Sequence, residues 1–528
     1  MSSNANQLAK SAGLISLATM LSRVLGLVRE QLIAHLFSRT ATDAFYVAFR
    51  IPNLLRDLFA EGALSSAFVP TFTDYLHKKS REEAWRMAST VTNLILVLLS
   101  LITILGILSS NWLVDKFAGD YRSVPGKFEL TVLMTQIMFP FLPMVALAAI
   151  AMGILNSYGR FFIPALAPAL FNVGSIAIAL MLRLWLPQHG LEPVLGMAIG
   201  TLLGGLLQLL IQIPLLFKQG LKYFFTFNFR NLGVQRILIL MGPGTLGLAA
   251  NQINIFVNTW LATSQEEGAV SWLNYAFRLM HFPIGIFGVA IATAALPVFS
   301  SHVSRGETDE LQRSISSSLR MVFLLNIPAS VGLIFLSTPI ISLIYQHGRF
   351  KVGDTQSTAS ALIFYSIGLF AYSAVKLLVP VFYALGHSRI PVIVSASAVA
   401  SNIGLNLILV GPLGYRGLAL GTSLTSILNF LLLFYWLQKY TGSLHPIRVI
   451  GSFLKTLAAS LTMGVACYFA HRWFSSFALP DSLLWKVSTL SCTIGIGLLI
   501  LFFSCRVLRI SEMESAVNIV MKKIRSSG

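Results

Sequence analysis

Long apolar stretches recur along the whole chain, separated by shorter polar segments. An α-helix of about 20 mainly apolar residues crosses the hydrocarbon core of a bilayer, so each stretch predicts one membrane span. The chain of 528 residues is 55% hydrophobic and 11% charged, whereas soluble domains are roughly a quarter charged. We therefore predict an all-α polytopic membrane protein with about fourteen transmembrane helices. The predicted spans lie near residues 12–36, 44–69, 88–109, 129–153, 164–185, 193–216, 237–262, 270–299, 314–338, 357–380, 391–411, 416–438, 450–471 and 484–505.

Basic residues are concentrated on alternate polar segments. The N-terminus, the even-numbered loops and the C-terminal tail hold about 22 Lys and Arg, and the odd-numbered loops hold about 10. Because cytoplasmic loops carry the excess of positive charge, this bias predicts an even number of spans with both termini in the cytoplasm. It also accounts for the net charge of +18, so we expect no nucleic-acid partner.

Three pairs of similar motifs occur in the same order in two parts of the chain. "YVAFRIP" at Tyr46 resembles "NYAFRLM" at Asn274, "GRFFIPALAPALFNVG" at Gly159 resembles "GHSRIPVIVSASAVASNIG" at Gly386, and "LGMAIGT" at Leu195 resembles "RGLALGT" at Arg416. The offset is about 220–230 residues in each case. We predict a lobe of six helices at 1–220, a second at 221–440, and two extra helices with a cytoplasmic tail at 441–528. Lobes of six helices have the same topology, which predicts a pseudo-two-fold axis along the membrane normal.

Several charged side chains fall inside the predicted spans, where charge is costly and normally marks a bundle interior or a water-filled cavity. The cations are Arg23, Arg29, Arg50, Arg56, Arg278 and Lys376, and the acids are Glu30, Asp43, Asp57 and Glu61. Some of these charges could pair with one another as structural contacts. The surplus of cations nevertheless predicts an anionic cargo in an alternating-access transporter, and arginine suits a diphosphate or a carboxylate.

The sequence contains no motif typical of metal binding, nucleotide hydrolysis or hydrolytic catalysis. The three cysteines have no metal-ligand spacing, and no phosphate-binding loop, zinc-protease motif or nucleophile elbow is present. We therefore expect no metal, no cofactor, no ATP hydrolysis and no enzymatic activity. The coupling ion, or a dependence on the membrane potential, is not readable from the sequence.

Long motifs link the chain to a known family. "SRVLGLVRE" at Ser22, "ATDAFYVAFRIPNLLRDLFAEGALSSAFVPTF" at Ala41 and "SWLNYAFRLMHFPIGIFGVAIATAALP" at Ser271 resemble the MurJ (MviN) family of lipid II flippases, within the multidrug/oligosaccharidyl-lipid/polysaccharide exporter superfamily. "GRFFIPALAP" at Gly159 and "YQHGRF" at Tyr345 extend the resemblance nearly end to end. The family architecture of two six-helix lobes plus two extra helices agrees with the spans and repeats above.

The resemblance implies roles for individual residues. Arg23, Arg29 and Arg278 match cavity arginines that would bind the diphosphate and sugar end of lipid II, and Asp43 matches an essential acid. Further cavity or gate candidates are Glu30, Arg50, Arg56, Glu61 and Lys376. Acids flank Arg278 in other members, whereas Phe277 and His281 stand there in this chain, so the pairing of gate residues stays open.

The resemblance predicts a flippase that moves lipid II across the bacterial cytoplasmic (inner) membrane, with transient contacts to cell-wall synthesis proteins. The two extra helices would form a groove for the undecaprenyl tail. One alternative is a superfamily exporter of another polyprenyl-diphosphate-linked glycan or a drug. A second is a membrane enzyme acting on polyprenyl phosphates, which would be expected to cluster Asp or His at a membrane face.

Overall fold

The computed structural model describes the backbone of residues 2–58, 63–477 and 482–514. Within these ranges it describes all side chains except those of residues 2–14, 16, 63, 65, 66 and 242–251. The chain folds into two compact units, Met1–Ser271 and Trp272–Gly528. Glu61, one of the predicted gate residues, lies outside the described residues.

The described part of the first unit is mainly helical. Its helices are α1 (Ser2–Leu36), α2 (Arg39–Arg56), α3 (Ala63–Lys78), α4 (Arg81–Leu108), α5 (Ser110–Ala118), α6 (Lys127–Met138), α7 (Phe141–Ser157), α8 (Phe162–Trp185), α9 (Leu195–Leu210), α10 (Ile213–Lys218) and α11 (Leu232–Thr263).

The second unit is also helical, and the boundary between the units falls in the first turn of its first helix. The helices are α12 (Ala269–Pro283), α13 (Val289–Arg305), α14 (Thr308–Phe335), α15 (Ser337–Tyr345), α16 (Val352–Ser366), α17 (Leu369–Ala384), α18 (Arg389–Leu413), α19 (Tyr415–Thr441), α20 (Pro446–Ser475) and α21 (Leu483–Val507).

The predicted spans coincide with these helices. Each one falls on a single helix or on two consecutive helices, and residues 59–62 between α2 and α3 lie outside the described part. In the described residues, ten helical segments are long and apolar enough to cross a membrane, or eleven if the bent pair α16–α17 counts as one span. The chain is therefore an all-α polytopic membrane protein. The short helices α5 and α15 were not predicted, because neither is long enough to leave a spanning signal.

Side chains at the polar segments fix where several helices begin. Ser80 Oγ accepts a hydrogen bond from Glu83 N at the start of α4, and Asn231 Oδ1 accepts from Gly233 N and Val234 N at the start of α11. These contacts satisfy backbone N–H groups that have no partner within the helix. Single polar residues just before the apolar runs thus determine where these helices begin.

Glycines allow neighbouring helices to approach closely at the repeated "LGMAIGT" and "RGLALGT" motifs. Gly200 of α9 and Gly421 of α19 hold the same position in the two motifs. A Cβ added to Gly200 would lie 2.7 Å from Ser175 O of α8, and one added to Gly421 would overlap Asn406 Oδ1 of α18. Small residues permit such close helix contact within membranes. The motif therefore repeats because both units need the same tight helix pair.

Each unit also contains a π-helical turn at an equivalent place, at residues 57–58 and at Ile284–Gly288. The second turn follows Pro283, which cannot donate a backbone hydrogen bond. Such turns are frequent at functional sites.

The helix α11 packs against α3 within the first unit. Our predicted lobe boundaries at residues 220 and 440 place the same segment in the second lobe, and they stay a prediction. In the second unit, α20 packs against α14 and α21.

Candidate functional site

Arg29 lies on α1, and its guanidinium is buried in the first unit. Its Nη2 atom is 3.0 Å from Glu30 Oε1, and its Cζ atom lies 5.4 Å from the centre of the Phe171 ring on α8. Glu30 also accepts a hydrogen bond from the Tyr46 hydroxyl of α2. Arg29 Nε makes no hydrogen bond in the described part of the chain, so one N–H donor of this buried cation has no acceptor there.

Arg23 lies one turn and a half earlier on α1 and is exposed. Its own turn is held in place by Asn172 of α8, whose Nδ2 atom donates to Ser22 O at 3.2 Å. We find no ion pair of Arg23 with any described residue. The two predicted cavity arginines of the first unit therefore differ, since one is packed into the fold and the other is accessible.

Asp43, at the start of α2, is the centre of a buried polar cluster. Its carboxylate accepts from Lys127 Nζ of α6 at 3.0 Å and from Gly268 N at 2.8 Å. It also accepts from Ser271 N at 3.0 Å and from Ser271 Oγ at 2.7 Å. Lys127 Nζ lies 3.9 Å from the centre of the Tyr121 ring. A single carboxylate thus joins the starts of α2 and α6 to the last residues of the first unit.

Arg56 and Asp57 form a half-buried ion pair at the end of α2. Arg56 Nη2 lies 2.7 Å from Asp57 Oδ1, and Asp57 Oδ2 is 3.4 Å from Gln252 Nε2 of α11. The pair shows that one predicted site cation, Arg56, has an acid beside it. Arg50 is half-buried one turn and a half earlier on the same helix.

In the second unit, Arg278 and Lys376 are both exposed, on α12 and α17. Both lie within electrostatic range of His281, which is one turn after Arg278 on α12. The His281 Nδ1 atom donates to Phe277 O at 3.0 Å, and its ring packs between Phe277 and Tyr372. His281 is therefore held as part of an aromatic wall beside two cations.

A second buried contact involves the start of α12. Trp272 Nε1 donates to Asp354 Oδ1 of α16 at 2.9 Å, and Asp354 Oδ2 accepts from Lys351 N at 2.8 Å. The Trp272 ring lies 5.3 Å from the ring of Tyr415. The Asp354 carboxylate therefore accepts from both an indole and a backbone N–H.

Chemically, each unit presents cations that could bind an anionic group, and the first unit adds the buried ion pair of Asp43 and Lys127. No group of three or more His, Cys, Asp and Glu side chains with metal-binding geometry occurs in the described residues.

Sequence reasoning missed Lys127, Tyr46 and Asp354. Lys127 carries a recognisable signal, because a lone lysine at the edge of an apolar span needs a counter-charge. Tyr46 lies inside the repeated "YVAFRIP" motif, where the motif drew attention to Arg50 instead. Asp354 follows a basic loop and resembles an ordinary helix-start acid, so its contact with Trp272 has no sequence signature.

The chain is similar to known proteins over most of its length. The sequence profile of the family described as "Lipid II flippase MurJ" matches residues 33–488. A probable lipid II flippase MurJ of Vibrio cholerae is 34% identical over 503 residues, covering 93% of this chain and 91% of the relative. Lipid II flippase MurJ of Burkholderia cenocepacia is 37% identical over 426 residues, covering 80% of this chain and 82% of the relative.

Solved structures have the same fold. A lipid II flippase MurJ in an inward closed conformation matches with a TM-score of 0.77 and 30% identity, covering 94% of this chain and 99% of that one. A multidrug resistance MATE family transporter of the MOP superfamily, in an inward-facing conformation, matches with a TM-score of 0.67 over 82% of this chain and 98% of that one. Its identity of 18% supports likeness of fold alone.

Proposed function

The chain belongs to the lipid II flippase MurJ family, and we propose that it moves lipid II from the cytoplasmic to the outer leaflet by alternating access. The protein acts as a transporter and carries out no chemistry on its cargo. It requires no cofactor for this step.

The proposal rests on cations that lie on apolar helices in both units. Arg23 and Arg29 lie on α1, and Arg278 lies on α12 with Lys376 nearby on α17. Arginine binds phosphate oxygens two at a time, and keeping it within an apolar helix is costly. We assign Arg23, Arg29 and Arg278 to the diphosphate and sugar head of lipid II, with Lys376 as a supporting cation.

Asp43 is the gate residue in this proposal. Its contacts with Lys127, Gly268 and Ser271 fix helix starts that an alternating-access protein has to rearrange. Glu30, Arg50, Arg56 and Glu61 are further candidates for cavity or gate contacts. Of these, Glu30 has a defined task, because it orients Arg29 and binds the Tyr46 hydroxyl.

The cellular setting follows from the cargo and from the distribution of charge. We place the protein in the bacterial cytoplasmic membrane with both termini in the cytoplasm, where transient contact with cell-wall synthesis proteins is expected. Protease accessibility of tags at either terminus, in spheroplasts and in inverted vesicles, tests this orientation.

The test of function combines complementation with binding. The wild type, Arg29→Ala, Arg278→Ala and the control Arg313→Ala are expressed in bacteria depleted of their own flippase. Arg313 is an exposed cation paired with Glu310 in the same unit as Arg278. Purified proteins are then tested for lipid II binding. We expect growth and binding from the wild type and Arg313→Ala, and loss of both from the other two at equal membrane levels.

Two results would contradict the proposal. Growth with Arg29→Ala and Arg278→Ala would remove the two arginines from the binding site. Failure of the wild type to bind lipid II, with binding of another polyprenyl diphosphate glycan or of a drug, would assign the protein a different cargo of the same superfamily.

A further inference from the structure

The segment between α10 and α11, residues 217–232, exposes a row of aromatic side chains. Phe225 is 81% exposed, and Phe217, Tyr223, Phe227 and Phe229 are exposed as well. The exposed residues 223, 225 and 227 alternate with the less exposed residues 224 and 226, and the Phe225 and Phe227 rings contact each other with their centres 5.3 Å apart. Large exposed apolar patches normally mark an interaction surface.

The helix α4 holds this segment in place through buried polar side chains. Asn93 Nδ2 donates to Phe224 O at 3.1 Å and to Thr226 O at 2.9 Å, and Ser89 Oγ accepts from Phe224 N at 3.1 Å. The Tyr223 hydroxyl donates to Asn93 Oδ1 at 2.6 Å. The backbone is thus fixed so that the aromatic row stays outward.

The far end of the segment is tied to α3. The Tyr75 hydroxyl donates to Asn231 Oδ1 at 3.0 Å and accepts from Gly233 N at 2.9 Å. A segment anchored on two helices presents its aromatic side chains as a structural surface.

The charges around the row are positive. Lys218, Lys222 and Arg230 are exposed, and the sequence contains no acid between Glu192 and Glu266. Lys222 is within electrostatic range of Glu82 on α4, which leaves Lys218 and Arg230 as the less compensated cations. Such a surface complements anionic phosphate groups.

We propose that residues 217–232 form an anchor for the bilayer interface, in which the aromatic rings enter the headgroup layer and Lys218 and Arg230 bind anionic phospholipids. The segment follows Leu195–Lys218, which is long and apolar enough to cross the membrane, so it begins at a bilayer surface. Aromatic rings favour the interface, and basic residues near an anionic leaflet strengthen attachment. The anchor holds the start of α11 at a constant depth.

Site-directed spin labelling tests the depth of the segment. In a background with Cys467, Cys492 and Cys505 replaced by alanine, single cysteines are introduced as Phe225→Cys and, as control, Lys79→Cys in the exposed α3–α4 loop. Both are labelled in nanodiscs containing phosphatidylglycerol. We expect oxygen to relax the label at 225 and a nickel chelate to relax the label at 79. Equal access of the nickel chelate to both labels would overturn the proposal.

The same labels distinguish a lipid from a second copy of the chain. A short dipolar distance between two labels at 225, together with protection from the nickel chelate, would assign the aromatic row to a protein–protein contact and overturn the proposal.

The lipid preference is tested with Lys218→Gln/Arg230→Gln. The control, Lys116→Gln/Arg349→Gln, removes two exposed charges elsewhere. The readout is the association of spin-labelled phosphatidylglycerol relative to phosphatidylcholine. One basic residue near an anionic surface contributes about fivefold, so we expect about a 25-fold loss for the first variant and little change for the control. An unchanged preference in the first variant would refute the role of these cations. Neither readout depends on lipid II, so the result stands apart from the flippase test.

Discussion

The start of α2 in the first unit and the start of α12 in the second unit are held by different kinds of contact. In the first unit, Asp43 of α2 forms a buried ion pair with Lys127 of α6. In the second, Trp272 of α12 donates a hydrogen bond to Asp354 of α16. The motif arginines Arg50 and Arg278 are 228 positions apart, and the same spacing relates Asp43 to Ser271 and Lys127 to Thr355. Each contact thus lies within one residue of its counterpart.

The two contacts occupy equivalent places in the two units, and they are an ion pair in the first unit and an indole hydrogen bond in the second. Two opposite charges are buried in the first unit, and both are only 2% exposed. A buried ion pair depends on both partners, because either one alone remains as an uncompensated charge. In the second unit the Trp272 indole is a neutral donor, and Lys351 N donates to the same carboxylate. We therefore expect the first contact to be the more sensitive to substitution.

The largest effect is predicted for Lys127→Met. The substitution keeps much of the volume of the side chain and leaves Asp43 buried without its cation, so the free energy of unfolding should fall by about 3 kcal/mol. Unfolding in detergent micelles, followed by circular dichroism, measures the change. Lys116→Met, at an exposed position of α5, is the matched control and should change stability by less than about 0.5 kcal/mol.

The double variant Asp43→Asn/Lys127→Met separates charge from packing. Because it removes both charges, it should be more stable than Lys127→Met alone. If the double variant is as unstable as the sum of the two single variants, the buried charges are not the cause.

The sequence predicted the helices well for a simple reason. A spanning helix needs a long apolar run, so the segments that became α4, α8 and α21 could be located without knowing any contact. The repeats were also visible, because residues such as Gly200 and Gly421 meet the same steric demand in each unit. These signals depend on local composition and spacing.

The contacts of the candidate site were less accessible to sequence reasoning. Arg29 was singled out because a cation within an apolar run is costly, whereas its position over Phe171 depends on how α1 packs against α8. Lys127 and Asp43 are separated by 83 intervening residues, and the polarity pattern does not state which helices are neighbours. Partners across helices are a tertiary property, which explains why Lys127 was missed.

A smaller effect is predicted for Trp272→Phe in the second unit. The variant retains an aromatic ring beside Tyr415 and loses the indole N–H that binds Asp354. A hydrogen bond to a charged group contributes about 1.5–3 kcal/mol, and the remaining bond from Lys351 N favours the lower end of that range. Unfolding under the same conditions measures it, with Trp473→Phe at an exposed position as control. A loss larger than that of Lys127→Met would reverse the comparison between the units.

The smallest effect is predicted for Ser271→Ala. Asp43 loses the hydroxyl donor at 2.7 Å and keeps Lys127 together with the backbone N–H groups of Gly268 and Ser271. The expected loss in the free energy of unfolding is about 1 kcal/mol. Ser304→Ala, where the hydroxyl is exposed, provides the control.

Ser271→Ala tests the difference between the two units more strictly when it is made in the Lys127→Met background. Residues that share one partner are coupled, so the cost of removing one rises when the other is already absent. Ser271→Ala should therefore cost more in Lys127→Met than in the wild type, because the hydroxyl is then the one side-chain donor left to this buried carboxylate among the described residues. Equal costs in the two backgrounds would mean that Lys127 and Ser271 act independently on Asp43. The difference between the units would then lie in the packing of α2 and α6 rather than in the shared charge of Asp43.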